Sequence, residues 1–323
     1  MSDLPKSITI HEEGPREGFQ IEPGTIPTAR KIELLEALAE TGIKHIQTTS
    51  FVNPKRVPGM ADAEAVVKGF TPKPGVTYTA LWLNEKGLER AKAWQPKLTL
   101  EGKISIYASD KFSRKNNNRS TEQEFEYSAR VLDNYLANGI PVERGSISAA
   151  FGCNYGGDVP VATIMDILRR IFEMAEEHGV ELKELSFADT MAWATPLHIE
   201  RVVGAVREKY PNQRLSLHLH DTRGMGVANA YAGIRMGVDM FDSCVAGLGG
   251  CPFAGHKGAA GNVCTEDLVF MCEEMGIATG IDLDKLIKCA ELAEEIVGHP
   301  LPGSVKLGGN LNKLRAAAAA GAK

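Results

Sequence analysis

The chain has 323 residues, of which 43% are hydrophobic and 24% are charged. These proportions are typical of a globular enzyme and exclude a fibrous or low-complexity protein. The net charge of −5, without a long basic tract, argues against nucleic acid as a partner. Because no apolar run approaches ~20 residues and no secretory signal is recognisable, we expect a cytoplasmic protein without a membrane partner. The six cysteines lack paired zinc-site spacing and are expected to be reduced thiols.

Short β-branched or aromatic runs alternate with longer amphipathic segments along most of the chain. This alternation predicts an α/β fold, a (β/α)8 TIM barrel with additional C-terminal helices. The predicted strands cover residues 7–13, 45–51, 77–83, 103–109, 143–151, 184–190, 215–222 and 240–248. Gly42, Gly139 and Gly179 predict helix ends, and Thr195 followed by Pro196 predicts a helix start.

We expect one domain over residues 1–323, since no linker divides the chain. The barrel is expected over about residues 7–264 and the C-terminal helices over about 265–323, with helices at 265–275 and 283–297 and a frayed final segment.

Two histidines lie at the end of the seventh predicted strand. The strand period of two sends His218 and His220 to the same face, so their nitrogens point into the barrel mouth. Imidazoles combined with a carboxylate and an amide oxygen suit Mg²⁺ or Mn²⁺, and Glu17 and Asn262 can supply those oxygens. The alternative is that one histidine packs in the core and the other bonds a neighbour. The position at a strand end, followed by Asp221, favours the metal site.

Arg16 follows the first predicted strand and carries a permanent charge that could stabilise an oxyanion or enolate. The alternative is an ordinary ion pair with Glu17.

Residues 245–262 are rich in glycine and predict a mobile active-site loop. Its thiol, Cys251, is a candidate proton donor to a carbanion, although an unreactive buried cysteine is the alternative.

The segments GPREGFQ, TTSFVNPKRVPGMAD, SDKFSRKNNNRS, HLHDTRGMGVAN and VAGLGGCPFA closely resemble the 3-hydroxy-3-methylglutaryl-CoA (HMG-CoA) lyase family. The resemblance implies a TIM barrel that uses Mg²⁺ or Mn²⁺ to cleave an acyl-CoA substrate to acetyl-CoA and acetoacetate, a step of leucine degradation. It implies catalytic roles for Arg16 and Cys251. The reaction also needs a base for the substrate hydroxyl, for which His218 and a metal-bound water are the candidates. The implied metal ligands are His218, His220 and Asn262, with Glu17 as the carboxylate ligand, and the matching segment near the CoA-binding mouth holds Ser109, Lys115, Asn116 and Asn118. Gln20, Gln47 and Asp189 are further candidate substrate-binding residues.

Two positions depart from the family pattern. The family's aspartate after the arginine is Glu17 here, which keeps an oxygen donor. The family's glutamate beside the arginine is the neutral Gln47 here, so we expect a net positive charge beside the acyl pocket. With His256 and Lys257 in the loop, this charge predicts a substrate with an added polar or anionic group at C3. The alternative, to which we give equal weight, is that the chain retains HMG-CoA as its substrate.

Other functions stay open from the sequence. The chain could be a lyase for a citramalyl-CoA or isohexenylglutaryl-CoA type of substrate, or a synthase that runs the reaction as a Claisen condensation. A catalytically silent barrel that binds CoA esters is a third hypothesis, and a homodimer is possible in each case. Retention of Arg16, both histidines, Asn262 and Cys251 favours an active lyase.

Overall fold

A computed structural model describes residues 4–22, 24–250 and 260–321 of the chain. Eight parallel strands form one curled sheet in the order β3-β2-β1-β8-β7-β6-β5-β4. The strands are β1 (Thr9–Glu12), β2 (His45–Ser50), β3 (Thr77–Leu81), β4 (Gly102–Tyr107), β5 (Val142–Ser148), β6 (Glu184–Asp189), β7 (Arg214–Leu219) and β8 (Met240–Ser243). Between β3 and β4, the Thr99 amide donates to the Tyr78 carbonyl at 2.8 Å. The predicted barrel is confirmed.

Helices connect the strands and cover the outside of the barrel. They are α1 (Phe19–Ile21), α2 (Thr28–Ala39), α3 (Ala63–Gly69), α4 (Glu85–Lys92), α5 (Asp110–Asn117), α6 (Thr121–Ala137), α7 (Val161–Glu177), α8 (Pro196–Lys209), α9 (Gly226–Arg235), α10 (Thr265–Glu274), α11 (Leu283–Val297), α12 (Val305–Gly308) and α13 (Leu311–Gly321). None of the helices in the described ranges is long and apolar enough to cross a membrane.

The local signals for helix ends are also confirmed. Gly42, Gly139 and Gly179 have φ values of 103°, 65° and 67°, a left-handed region that glycine adopts at low cost. Thr195 caps α8 by accepting the amide of His198, and Pro196 is the first helical residue.

The structure differs from the sequence predictions at two places. The fifth strand ends at Ser148 instead of residue 151, and a short hairpin that was not expected, Gly152–Cys153 with Gly157–Asp158, follows it. The predicted frayed end is helical as α13, and none of its residues is buried. Alanine has the highest helix propensity of all residues, which accounts for a helix in this alanine-rich segment without a buried face.

Each barrel strand separates an apolar face from a polar one. Side chains such as Ile10, Ile46 and Phe241 point outward, and they are 0–3% exposed within one hydrophobic cluster beneath the helices. Burying an apolar side chain of this size contributes roughly 1.5–3 kcal/mol. The alternate residues point inward, and strand register places His45, His11, Asp242 and His218 in one row on four neighbouring strands. The barrel interior at this level is therefore polar and ionisable.

One buried carboxylate joins the first strand to the last. The Glu12 side chain accepts the amides of Gly14 and Val245 at 2.8 and 2.9 Å and the Thr265 hydroxyl at 2.6 Å. Glu12 therefore fixes the turn after β1, the turn after β8 and the start of α10 relative to one another.

The Glu12 carboxyl predicts a pH dependence of stability. Burial raises the pKa of Glu12 to about 7, although the hydroxyl of Thr265 and two amides oppose the rise. The folded chain therefore retains a proton that the unfolded chain releases above the ordinary glutamate pKa of 4.5. The Glu12 contribution to the free energy of unfolding is fully present at low pH and falls by about 3 kcal/mol as the pH rises through the folded pKa.

The variant Glu12→Gln imitates the neutral acid, so its stability relative to the wild type should rise with pH between about 5 and about 8. Urea unfolding at the two pH values measures this difference. Glu33→Gln is the matched control, because Glu33 forms only an exposed ion pair with Arg30. A Glu12→Gln protein whose stability follows the wild type at both pH values would show that Glu12 does not titrate in this range.

Candidate active site

The two predicted histidines meet at the barrel mouth. Their Nε2 atoms are 3.2 Å apart, and Glu17 Oε1 lies 3.7 Å from Nε2 of His218 and 3.4 Å from Nε2 of His220. One oxygen and two nitrogens therefore converge within 4.8 Å of one another, a spacing at which all three could ligate one cation. Burial opposes ionisation, but Arg16 and His218 hold the pKa of Glu17 well below its usual range, so Glu17 is available as an anionic ligand.

Asn262 adds an amide oxygen beside these ligands. Asn262 forms an isolated bridge with His220, and its side-chain nitrogen donates to Cys244 Sγ at 3.2 Å. Its Oδ1 is buried and has no hydrogen-bond partner among the described residues. Because buried acceptors are normally satisfied, this oxygen fits a group that the protein binds. Two imidazoles, a carboxylate and an amide oxygen together fit a divalent cation such as Mn²⁺ or Mg²⁺.

Asp242 orients the His218 ring through a contact with its Nδ1 atom. Its Oδ2 lies 3.1 Å from Nδ1 of His218, and its Oδ1 lies 3.5 Å from Nδ1 of His11, whose ring stacks on His45 at 3.9 Å. Burial opposes ionisation, but His11 and His218 hold the pKa of Asp242 well below its usual value. Burial lowers the pKa of His218, but Glu17 and Asp242 outweigh this effect and raise that pKa well above its usual value. Asp242 thus favours a proton on Nδ1 and directs Nε2 towards the ligand cluster.

The Arg16 guanidinium is held by three side chains. Its NH1 lies 2.8 Å from Glu17 Oε2, its NH2 donates to Glu13 Oε2, and its Nε donates to Gln47 Oε1. The predicted contact with Gln47 is present, but the predicted net positive charge beside the pocket is wrong. Glu13, which no sequence pattern singled out, supplies a second carboxylate. Burial raises the pKa of Glu13 to about 7, against the lowering effect of Arg16.

A single π-helical turn, Gly14–Gly18, presents Arg16 and Glu17. The Glu13 carbonyl accepts the amides of Arg16 and Glu17 at 3.0 and 2.7 Å. Gly18 is required by close packing, because a Cβ atom there would lie 2.6 Å from Leu248 Cγ. The turn after β1 and the turn after β8 are therefore in contact at the mouth.

Asp189 ends strand β6 beside the histidines. Its Oδ1 accepts the amides of Trp193 and Ala194 at 2.7 and 3.0 Å, whereas its Oδ2 is buried without a hydrogen-bond partner in the described part of the chain. Burial raises the pKa of Asp189, and both amides and the histidines oppose the rise. Asp189 therefore retains a free acceptor oxygen.

The other predicted substrate-binding residues lie around the mouth. Ser109 caps α5 and contacts Cys153 Sγ at 2.9 Å, and Lys115 lies over the Tyr155 ring at 4.5 Å. Asn116 and Asn118 are exposed, and Gln20 lies on α1 with a buried Oε1 that has no hydrogen-bond partner within the described ranges. Cys251, His256 and Lys257 lie outside the described residues. The five cysteines of the described chain are free and buried.

The fold and this cluster define a (β/α)8 barrel with a cation-suited group at the carboxyl ends of its strands. The sequence matches a family model named HMGL-like over residues 7–293. It is 40% identical over 303 residues to the hydroxymethylglutaryl-CoA lyase YngG of Bacillus subtilis, covering 92% of this chain and 96% of that protein.

Two solved structures are also similar. A structure of the Bacillus subtilis HMG-CoA lyase has a TM-score of 0.84 and 39% identity, covering 93% of this chain and 97% of that chain. An Acinetobacter baumannii HMG-CoA lyase in complex with coenzyme A and 3-methylmalate has a TM-score of 0.83 and 33% identity, covering 96% and 97% of the two chains. The chain belongs to the HMGL-like family, and the resemblance noted in the sequence is confirmed.

The contact between Asp242 and His218 predicts an effect on metal affinity. Asp242→Asn should raise the dissociation constant for Mn²⁺ about 10–100-fold, because an amide holds the His218 ring less firmly and makes its Nε2 less basic. Titration followed by the electron paramagnetic resonance of free Mn²⁺ measures the constant. Asp239→Asn is the control, since Asp239 pairs with Arg214 away from the cluster. Equal affinity in the wild type and in Asp242→Asn would contradict this role.

Proposed function

We propose that this chain is a carbon–carbon lyase that cleaves HMG-CoA to acetyl-CoA and acetoacetate. The observation that carries the proposal is the contact of Arg16 with Glu17. It places a guanidinium that could bind an oxyanion beside the group of potential metal ligands. The chain that holds this arrangement is 40% identical to an HMG-CoA lyase. The expected role in leucine degradation rests on the family resemblance, and the expected cytoplasmic location and possible homodimer also belong to this proposal.

Glu17, His218, His220 and Asn262 would hold Mg²⁺ or Mn²⁺. When bound, such an ion supplies Lewis-acid polarisation of the substrate oxygens. The sequence also allows His218 as the catalytic base. Its Nδ1 faces Asp242 and its Nε2 faces Glu17 and His220, so no lone pair is left over for a base if His218 is a ligand. We therefore assign His218 to the ligand set alone.

Asp189 is the better acceptor for the substrate proton. Its Oδ2 is buried and has no hydrogen-bond partner among the described residues. Burial also raises the pKa of the Asp189 carboxyl. In the proposed reaction this oxygen takes the proton of the C3 hydroxyl. The hydroxyl oxygen's electron pair then forms the ketone of acetoacetate as the bond between C2 and C3 breaks.

The electron pair of the broken bond passes into the thioester, which becomes an enolate. Arg16 has five N–H donors, and three of them face Glu13, Gln47 and Glu17. The other two N–H groups are proposed to bind the enolate oxygen. Cys251 is proposed to give its proton to C2, which yields acetyl-CoA.

The CoA moiety is proposed to lie near α5. Lys115, Asn116 and Asn118 are exposed there and offer a cation and amides to phosphate oxygens. Ser109 is occupied with capping α5 and with Cys153, so we assign it to support of this segment.

An assay with a panel of thioesters tests the proposed function. Purified protein with Mn²⁺ should release acetyl-CoA from HMG-CoA, and chelation should abolish the release. Citramalyl-CoA and isohexenylglutaryl-CoA test the alternative substituents, and acetyl-CoA with a 2-oxo acid tests condensation. Higher catalytic efficiency on a differently substituted thioester would overturn the substrate, and no cleavage of any thioester by a metal-loaded protein would overturn the lyase.

Replacement of the loop thiol gives a second test. Cys251→Ala should lower kcat by about 10²–10⁴-fold with little change in KM, since a proton donor acts in the transition state. Steady-state kinetics measure both constants. Cys272→Ala and Cys289→Ala are the controls, because both thiols are buried and lie on α10 and α11. Equal losses of kcat in all three variants would point to a general structural effect.

A further inference from the structure

The charge of the Arg16 guanidinium requires a carboxylate that is not shared with the ligand cluster. Of the two carboxylates beside it, Glu17 also lies 3.4 Å from His220 and 3.7 Å from His218, so it is shared with the ligand cluster. A cation held by that cluster draws on the same negative charge. Glu13 contacts Arg16 from the other side, and the side chains of Arg16 and Glu13 are only 11% and 10% exposed. An uncompensated guanidinium at this depth would be strongly destabilising.

Gln47 contributes no charge to this arrangement. Its amide oxygen accepts from Arg16 Nε, which fixes one edge of the guanidinium, while Glu13 fixes NH2. The two contacts hold the guanidinium plane from different strands, because Glu13 follows β1 and Gln47 lies in β2. A carboxylate at position 47 would be isosteric with the amide and would meet the same Arg16 nitrogen.

We propose that Glu13 is the positioning residue for Arg16 in the reaction proposed above. Its carboxylate, when ionised, balances the Arg16 charge, holds the guanidinium for the enolate oxygen and leaves Glu17 to the cation. Loss of the Glu13 charge turns Arg16 towards Glu17, so both catalysis and cation binding weaken. A carboxylate moved to position 47 restores the balance, since it faces Arg16 Nε from the neighbouring strand.

The test compares Glu13→Gln with the double variant Glu13→Gln/Gln47→Glu. Glu13→Gln should lower kcat about 10–100-fold with KM within about threefold and raise the Mn²⁺ dissociation constant about tenfold. The double variant has the charge of the wild type and should recover both constants to within about threefold. Glu184→Gln is the matched control, because Glu184 is also a little-exposed carboxylate paired with an arginine, Arg144, at 2.8 Å. It should change stability but neither kcat nor Mn²⁺ affinity.

The results separate this inference from the lyase proposal. A wild type that cleaves no thioester overturns the lyase, while Mn²⁺ binding by the same variants still decides the role of Glu13. Unchanged kcat and Mn²⁺ affinity in Glu13→Gln overturn the inference, as does a folded double variant that recovers neither. If Glu13→Gln does not fold, the double variant alone decides: recovery of folding, kcat and Mn²⁺ affinity supports the inference, and failure of any of the three overturns it.

Discussion

Buried charge inside the barrel is the constraint on which the site depends. A guanidinium or carboxylate taken out of water is stable only when opposite charges and hydrogen bonds surround it. In this chain the strand register lines up His45, His11, Asp242 and His218 in one row, so the Asp242 carboxylate lies between the imidazoles of His11 and His218. The apolar face of the same strands packs against the helices, which leaves the interior to polar chemistry.

The row of polar side chains leads to the group of potential metal ligands at the barrel mouth. Asp242 holds His218 from below, and the π-helical turn after β1 brings Glu17 and Arg16 to the mouth from the side. Arg16 and the histidines thus share one carboxylate, Glu17. This sharing couples the group that would bind an enolate to the group that would bind a cation. A change in the partners of Arg16 therefore affects both functions.

The sequence predicted the parts of the site that depend on local periodicity. The period of two in strand β7 placed His218 and His220 on one face, and the barrel topology brought Glu17 to them from β1. The contact of Asp242 with His218 could not be predicted, because it depends on the register between β8 and β7. The contact of Glu13 with Arg16 is local, but it depends on the π-helical turn Gly14–Gly18, which no sequence pattern indicated. The expected positive charge at Gln47 failed because Glu13 adds a second carboxylate beside Arg16.

The location of a bound cation tests the central claim most directly. Anomalous diffraction from crystals soaked in Mn²⁺ should give one peak enclosed by Glu17, His218, His220 and Asn262. The group formed by Cys264, Glu266 and Asp267 is another place in the described chain where three potential ligands converge. A peak at that group, with none beside His218 and His220, would contradict the account.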